Sequence, residues 1–360
     1  MKELIYPISL FLVISCLISK SFSQQKFVHA VWYNAYQIDL SNQDQAKQII
    51  DQHFNQLADM KINTVVFLVK YPNGLVYYKS KYARAACEWD VLDYVIKKCR
   101  EYNMKIHPYL NIFAEEGYFL QENPEYAEVR QDGTRTNWAS PAVKHVRTRM
   151  LNMIKEIISN YNVDGIQLDR IRYQGYNDVG FNPESIKLYK KKYKKEPNVA
   201  DPDFYQLKCD LVSSFVESAF KLVKSYNKNL IFSASVFHTP TTARNNRIAQ
   251  QWDLWVKENW LDFVFPMAYT DKPETFKKYL DEDVFTITST SSTVKLVMGI
   301  GVYYKGMTKE KLAQQIKLCL ENPVVSGICY FNAYNLFENP EFCEVIKAID
   351  LENRVINLSK

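Results

Sequence analysis

Asp169 lies within the run Val163-Asp164-Gly165-Ile166-Gln167-Leu168-Asp169-Arg170-Ile171-Arg172-Tyr173, where a short apolar segment gives way to charge. A carboxyl between guanidinium groups can give a proton to a leaving group, attack as a nucleophile, or pin a loop as an ion pair. On an extended chain Gly165, Gln167 and Asp169 share one face and Ile166 and Leu168 the other. If the apolar pair packs under helices, Asp169 points to the opposite side at the strand's exit. Parallel α/β sheets place their chemistry at that end.

Acid–base cleavage of an acetal needs a second carboxyl across the cleft. The candidates are Asp271, after the run Phe265-Pro266-Met267-Ala268-Tyr269-Thr270, and Glu115 and Glu116, after His107-Pro108-Tyr109-Leu110-Asn111. Asp39 and Glu338 follow other strand patterns, while Asp164 and Asp262 stand at strand beginnings and belong to the opposite, structural end. The remaining strand-end residues include Trp32, Tyr33, Asn34, Tyr109, Asn111, Gln167, Arg170, Arg172, His238, Met267, Tyr269, Tyr303 and Asn332. Such a face suits a polyhydroxylated ligand, whose rings stack on Trp and Tyr and whose hydroxyls bond amides and charges. The chain carries 25 Tyr, 20 Phe and 6 Trp, more aromatic surface than a core needs.

Other chemistries find less support. His29, His53, His107, His145 and His238 show no HxH or HxxxH pairing, so no metal is expected, and no cofactor motif occurs. A deacetylase would need such a metal site, and a serine hydrolase its G-x-S-x-G elbow. The net charge of +5 owes much to lysine-rich helix faces such as Lys187, Lys190, Lys191, Lys192, Lys194 and Lys195. No zinc-finger spacing, phosphate loop or basic–aromatic module points to nucleic acid.

Strand patterns at 28–33, 62–69, 104–111, 163–171, 230–236, 261–269, 294–303 and 327–331 must position these residues. Several are continuous apolar runs, as where both faces of a strand are buried. Helix patterns alternate with them at 45–60, 89–102, 203–226, 242–260 and 309–320, and another opens at Ser140-Pro141 with Val143, Val146, Met150, Ile154 and Ile157 on one face. Eight such alternations predict a single (β/α)8 TIM barrel, with an open doubly wound sheet as the alternative. Long loops after strands 3 and 4, at 112–140 and 173–202, are expected to build the walls of the site.

Residues 1–23 read as a signal peptide: Lys2, an apolar run, then Ser21-Phe22-Ser23 before Gln24, leaving 24–360 as the barrel domain, exported to periplasm or medium. A lipoprotein anchored at Cys16 is the alternative, and no integral span is expected in the mature chain. Cys87, Cys99, Cys209, Cys319, Cys329 and Cys343 lack CxxC spacing and are expected to be mostly buried thiols.

The chain resembles the family 10-like glycosyl hydrolases of bacterial exported proteins through His29-Ala30-Val31-Trp32, Ile62-Asn63-Thr64-Val65, His107-Pro108-Tyr109-Leu110-Asn111, the run around Asp169, Phe181-Asn182-Pro183-Glu184 and Asp262-Phe263-Val264-Phe265-Pro266-Met267-Ala268-Tyr269. The resemblance implies a (β/α)8 barrel acting on glycosidic bonds of an oligo- or polysaccharide. A more distant likeness is to family 18 chitinases, with D-G-x-D-x-D-x-E on the fourth strand and M-x-Y on the sixth. Met267 and Tyr269 match the second motif, but the catalytic glutamate of the first falls on Ile171, which cannot protonate a leaving group. Two readings stand: a glycoside hydrolase using Asp169 with Asp271, Glu115 or Glu116, and a barrel that binds glycans without cleaving them.

Overall fold

A computed structural model describes residues 27–175 and 177–357; the expected leader at 1–23, with Cys16, lies outside the described residues. Strands β1 (Val28–Tyr33), β2 (Thr64–Lys70) and β3 (Lys105–Asn111) lead to an antiparallel hairpin of β4 (Ala127–Val129) and β5 (Arg135–Ala139). The main sheet resumes with β6 (Gly165–Asp169), β7 (Ile231–Phe237), β8 (Phe263–Met267), β9 (Lys295–Gly301) and β10 (Val325–Phe331). β11 (Ile349–Asp350) and β12 (Val355–Ile356) form a terminal hairpin. The eight long strands pair in parallel in the order β1-β10-β9-β8-β7-β6-β3-β2 and close on themselves, with helices between them. The chain is a (β/α)8 barrel, as the alternating patterns require.

Parity decides what each strand presents. On β1 the Trp32 indole points into the barrel, edge-on to Phe265 and Phe331 at centroid distances of 5.9 Å. Tyr33, one residue on, points out against Phe54 of helix Gln43–Asp59 and hydrogen-bonds His53 at 3.1 Å. Gly299 of β9 makes room for the indole: a Cβ there would lie 3.1 Å from Trp32 and 2.7 Å from the Pro266 carbonyl. Outside the barrel, helix Lys144–Asn160 buries Val146, Met150, Met153, Ile154 and Ile157 on one face. Each such side chain contributes about 1.5–3 kcal/mol by leaving water.

Two helix expectations are corrected. Ser140-Pro141 makes a turn instead of a cap, and the helix begins at Lys144 with Val143 preceding it. The pattern at 242–260 is two helices, Pro240–Asn245 and Trp252–Lys257, separated where Arg247 and Ala249 adopt φ of 50° and 58°. The break is used. The Ile248 carbonyl accepts the Tyr173 N–H at 2.8 Å, and the Gln250 amide accepts from Phe237 N at 2.8 Å while donating to the Ile171 carbonyl at 3.3 Å. These bonds fasten the segment that leaves β6. At the other end of the barrel Asp164 pairs with Arg100 at 2.6 Å and Lys105 at 2.9 Å, and Asp262 with Lys224 at 2.6 Å, the structural roles expected for strand beginnings.

Cys99, Cys209, Cys319 and Cys329 are buried thiols, and Cys87 and Cys343 are half-buried. Among the described residues no helix is long and apolar enough to cross a membrane.

Candidate active site

Asp169 is the last residue of β6 and is half-buried. The chain turns sharply after it, with Arg170 at φ 47°, so that the Arg170 N–H folds back and donates to Asp169 Oδ1 at 2.7 Å. Burial raises the pKa of the Asp169 carboxyl from its ordinary value. The Arg170 charge, its N–H and the Arg172 charge oppose that rise without cancelling it.

Below Asp169, Gln167 is fully buried and fully engaged. Its Oε1 accepts from Trp32 Nε1 and from Ser235 Oγ, each at 2.8 Å, and its Nε2 donates to Ser233 Oγ at 3.3 Å. It was expected to touch ligand; it instead fixes the Trp32 indole from beneath. Tyr109 and Tyr269 flank the carboxyl. Burial holds both phenols well above their usual pKa, and the Asp169 charge adds to this, so both stay protonated donors. Tyr269 stacks on Phe331 at 5.2 Å and meets Trp32 and Tyr303 edge-on at 6.2 Å and 5.9 Å. Tyr303, 44% exposed, stacks in turn on Tyr304 at 4.4 Å. Tyr36 is also exposed and leans on Tyr71 at 5.6 Å. The mouth therefore offers flat apolar rings, suited to sugar faces.

The long loop after β3 closes another side. Its hairpin brings up Trp138, over which lie the guanidinium groups of Arg172 at 4.8 Å and Arg170 at 5.8 Å. Arg172 also lies 5.1 Å from the Phe237 ring. Trp138 and Phe237 were not among the expected site residues. Phe237 was legible as an inward position of β7, whereas Trp138 depends on a hairpin with no glycine-rich turn signal beyond Asp132-Gly133.

Of the expected second carboxyls, Glu116 remains at the mouth, half exposed, with Arg170 Nη1 at 3.3 Å. Arg170 thus joins the two acids, holding Asp169 through its backbone and Glu116 through its side chain. Glu115 does not face the cleft. It is buried without solvent contact and pairs with Lys70 at 3.0 Å and with Arg149. Asp271 is drawn to the segment before helix Lys309–Glu321, 4.0 Å from Lys311 and packed on Gly306 so tightly that a Cβ there would fall 2.0 Å from Asp271 Oδ2. Gly306→Ala must displace Asp271. If Asp271 only ties down the rim, both Gly306→Ala and Asp271→Asn should keep kcat within about threefold, the range of modest surface effects; a loss beyond about a hundredfold would return Asp271 to the chemistry.

Four expected ligand contacts have other places. Tyr33 is outside the barrel, as described above. Asn332 caps helix Ala333–Phe337, accepting from Tyr334 N at 3.0 Å. His238 lies against the Tyr279 ring at 3.9 Å, on the side of helix Pro273–Thr288, with burial lowering its pKa. Asn111 donates to the Lys70 carbonyl at 3.0 Å, though its buried side-chain oxygen, like that of Asn34, has no partner among the described residues. Met267 is the half-buried end of β8. Among the described residues no three His, Cys, Asp or Glu side chains converge as metal ligands.

Comparison with known proteins agrees with the barrel fold. The glycoside hydrolase domain of PgaB (BpsB) from Bordetella bronchiseptica superposes with a TM-score of 0.72 at 14% identity, over 93% of this chain and 100% of that one. The GH42 β-galactosidase Gan42B of G. stearothermophilus gives 0.67 at 12% identity, over 94% of this chain and 58% of that one. At such identities the likeness speaks for the barrel alone. In sequence, an S-layer-related protein of Niallia circulans is 28% identical over 148 residues, taking in 31% of this chain and 9% of its own length. The model of the family described as glycosyl hydrolase-like 10 matches residues 28–317, and the chain belongs to that family.

Proposed function

We propose that the protein hydrolyses glycosidic bonds in an oligo- or polysaccharide, with Asp169 as general acid and Glu116 as the opposing carboxylate. The observation that carries this is the Asp169 carboxyl, pushed up by burial at a strand end between aromatic walls. In this scheme Asp169 gives its proton to the glycosidic oxygen, and the Tyr109 and Tyr269 hydroxyls donate hydrogen bonds beside it. Glu116 either activates water or attacks the anomeric carbon. The stacked rings of Tyr303 and Tyr304, with Tyr269 edge-on beside them, support the sugar.

The test is release of reducing ends by residues 24–360 from a broad oligosaccharide panel. Binding without release would favour the second reading, a glycan-binding barrel, for which the apolar Ile171 at the chitinase glutamate position speaks. A pH profile tests the acid role separately. A general acid must be protonated, so kcat/KM should fall as pH rises through the raised pKa of Asp169, above the ordinary value near 4. A rate that climbs with pH through that window would make Asp169 a base or nucleophile. Export belongs to the same proposal. Secreted protein beginning at Gln24 supports a cleaved leader, and acylated protein beginning at Cys16 supports the lipoprotein form.

A further inference from the structure

We infer that Arg172 forms a subsite for an oxyanion on the sugar, a uronate carboxylate or an ester sulfate, so that the substrate is an acidic glycan. The inference rests on the glycosidase reading for its ligand class, but its geometry is independent of cleavage. Arg172 is half-buried beside Asp169, with its guanidinium 4.8 Å from the Trp138 ring and 5.1 Å from the Phe237 ring. Two aromatic neighbours leave the N–H edges of the fork as its means of recognition. Its recorded hydrogen bond is to the Tyr173 carbonyl at 3.1 Å, and among the described residues no carboxylate lies within ion-pairing distance of it.

Arg147, Arg247 and Arg354 also pair with no carboxylate among the described residues, but each donates to a backbone carbonyl of a distant segment, whereas Arg172 donates to that of its own neighbour. Arg170 next to it pairs with Glu116, and Arg100, Arg149 and Arg244 each hold a carboxylate. A guanidinium taken partly out of water without a carboxylate partner costs stability unless something else offsets it. The Asp169 charge offsets part of that cost, and that help disappears when Asp169 carries a proton as the acid. Two oxygens of a sugar carboxylate or of an ester sulfate can meet the N–H edge of the guanidinium in bidentate fashion. Such an oxyanion would also favour the protonated form of Asp169 by adding negative charge nearby, so that the bound substrate prepares its own acid.

The experiment measures binding by the Asp169→Asn protein, which removes turnover. The probes are a hexuronate oligosaccharide and its carboxyl-reduced neutral counterpart, and a sulfated oligosaccharide with its desulfated counterpart. One acidic form should bind about tenfold or more tighter than its neutral partner, and which pair shows the preference identifies the oxyanion. Adding Arg172→Gln should abolish the preference while leaving neutral-sugar affinity within about twofold, and Arg172→Lys should keep part of it. Circular dichroism of each variant confirms the fold. Equal affinity for charged and neutral forms, or a preference that survives Arg172→Gln, overturns the subsite. Acidic-sugar binding that depends on Arg172 without hydrolysis by the wild type would keep the subsite and discard the hydrolase. Hydrolysis of neutral glycans alone would do the reverse.

Discussion

Asp169→Asn should lower kcat by about a thousandfold, in the range that a positioned general acid supplies, while leaving the fold intact. The reason is local. Asn keeps the volume and keeps an oxygen to accept the Arg170 N–H, a 2.7 Å bond that shapes the turn leaving β6. What disappears is the capacity to donate a proton, in a carboxyl whose pKa burial raises. The same burial fixes the stability side of the prediction. A carboxyl whose folded pKa lies above its unfolded value is better tolerated protonated than ionised, so the ionised form costs stability as pH rises through the folded pKa. Replacing it with a neutral amide removes that cost. The variant should therefore be as stable at neutral pH as the wild type, or slightly more so, as is common where a site gives up stability for function.

Leaving-group dependence separates an acid from a nucleophile. An aryl glycoside whose phenolate leaves without protonation should be cleaved by Asp169→Asn far better than an alkyl glycoside, because only the latter needs the lost proton. Equal losses on both would move Asp169 to the nucleophile's place and Glu116 to the acid's. A variant that unfolds several degrees earlier than the wild type would instead identify Asp169 as a loop-pinning ion pair.

Most of what locates Asp169 is readable from residue order. Apolar runs mark the barrel strands to within about two residues, and parity with Gly165 and Gln167 sends Asp169 inward. The same rule applied to β1 separates Trp32 from Tyr33, yet listing strand-end residues by position alone places both in the mouth. Depth is harder to read. Gln167 and Glu115 are polar residues near strand ends, and nothing local says that one is consumed by Trp32, Ser233 and Ser235 and the other by Lys70 and Arg149. Those partners arrive from other strands and helices. The break at 246–251 is hidden for a different reason: Arg247 and Ala249 take left-handed backbone conformations without being glycine. Tertiary bonds to Tyr173, Phe237 and Ile171 override their local preference. Trp138 belongs to the same class, since its role depends on a hairpin folding back over β6.

Glu115→Ala should destabilise the protein by about 3–5 kcal/mol, the cost of leaving buried charge unpaired. Lys70 and Glu115 have no solvent exposure, and Arg149 is 6% exposed, with its guanidinium stacked 3.9 Å over Phe119. Lys70 also donates to the carbonyls of Asn111 and Ala114 at 2.8 Å and 3.1 Å, which ties the end of β2 to the start of the loop bearing Glu116. Removing the single anion leaves two buried cations facing each other. Burial already lowers Lys70 to about 8, and Glu115 is what holds it from falling further. Linkage then gives the sign. Between the folded and unfolded pKa of Lys70 the unfolded chain binds more protons, so stability from this group rises with pH. In the wild type that rise starts near pH 8; in Glu115→Ala it should start lower, because the lysine can shed its proton to escape the unpaired state. Urea unfolding at pH 6 and pH 9 would therefore show a smaller deficit at the higher pH. Adding Lys70→Met should recover part of the loss, a coupling expected only of side chains in one network. A deficit under about 1 kcal/mol, unchanged by pH or by the second substitution, would mean that the three charges do not depend on one another. Because Glu115 directly precedes Glu116, the folded fraction of the variant should also show weakened hydrolysis, through a second carboxylate that has lost its anchor.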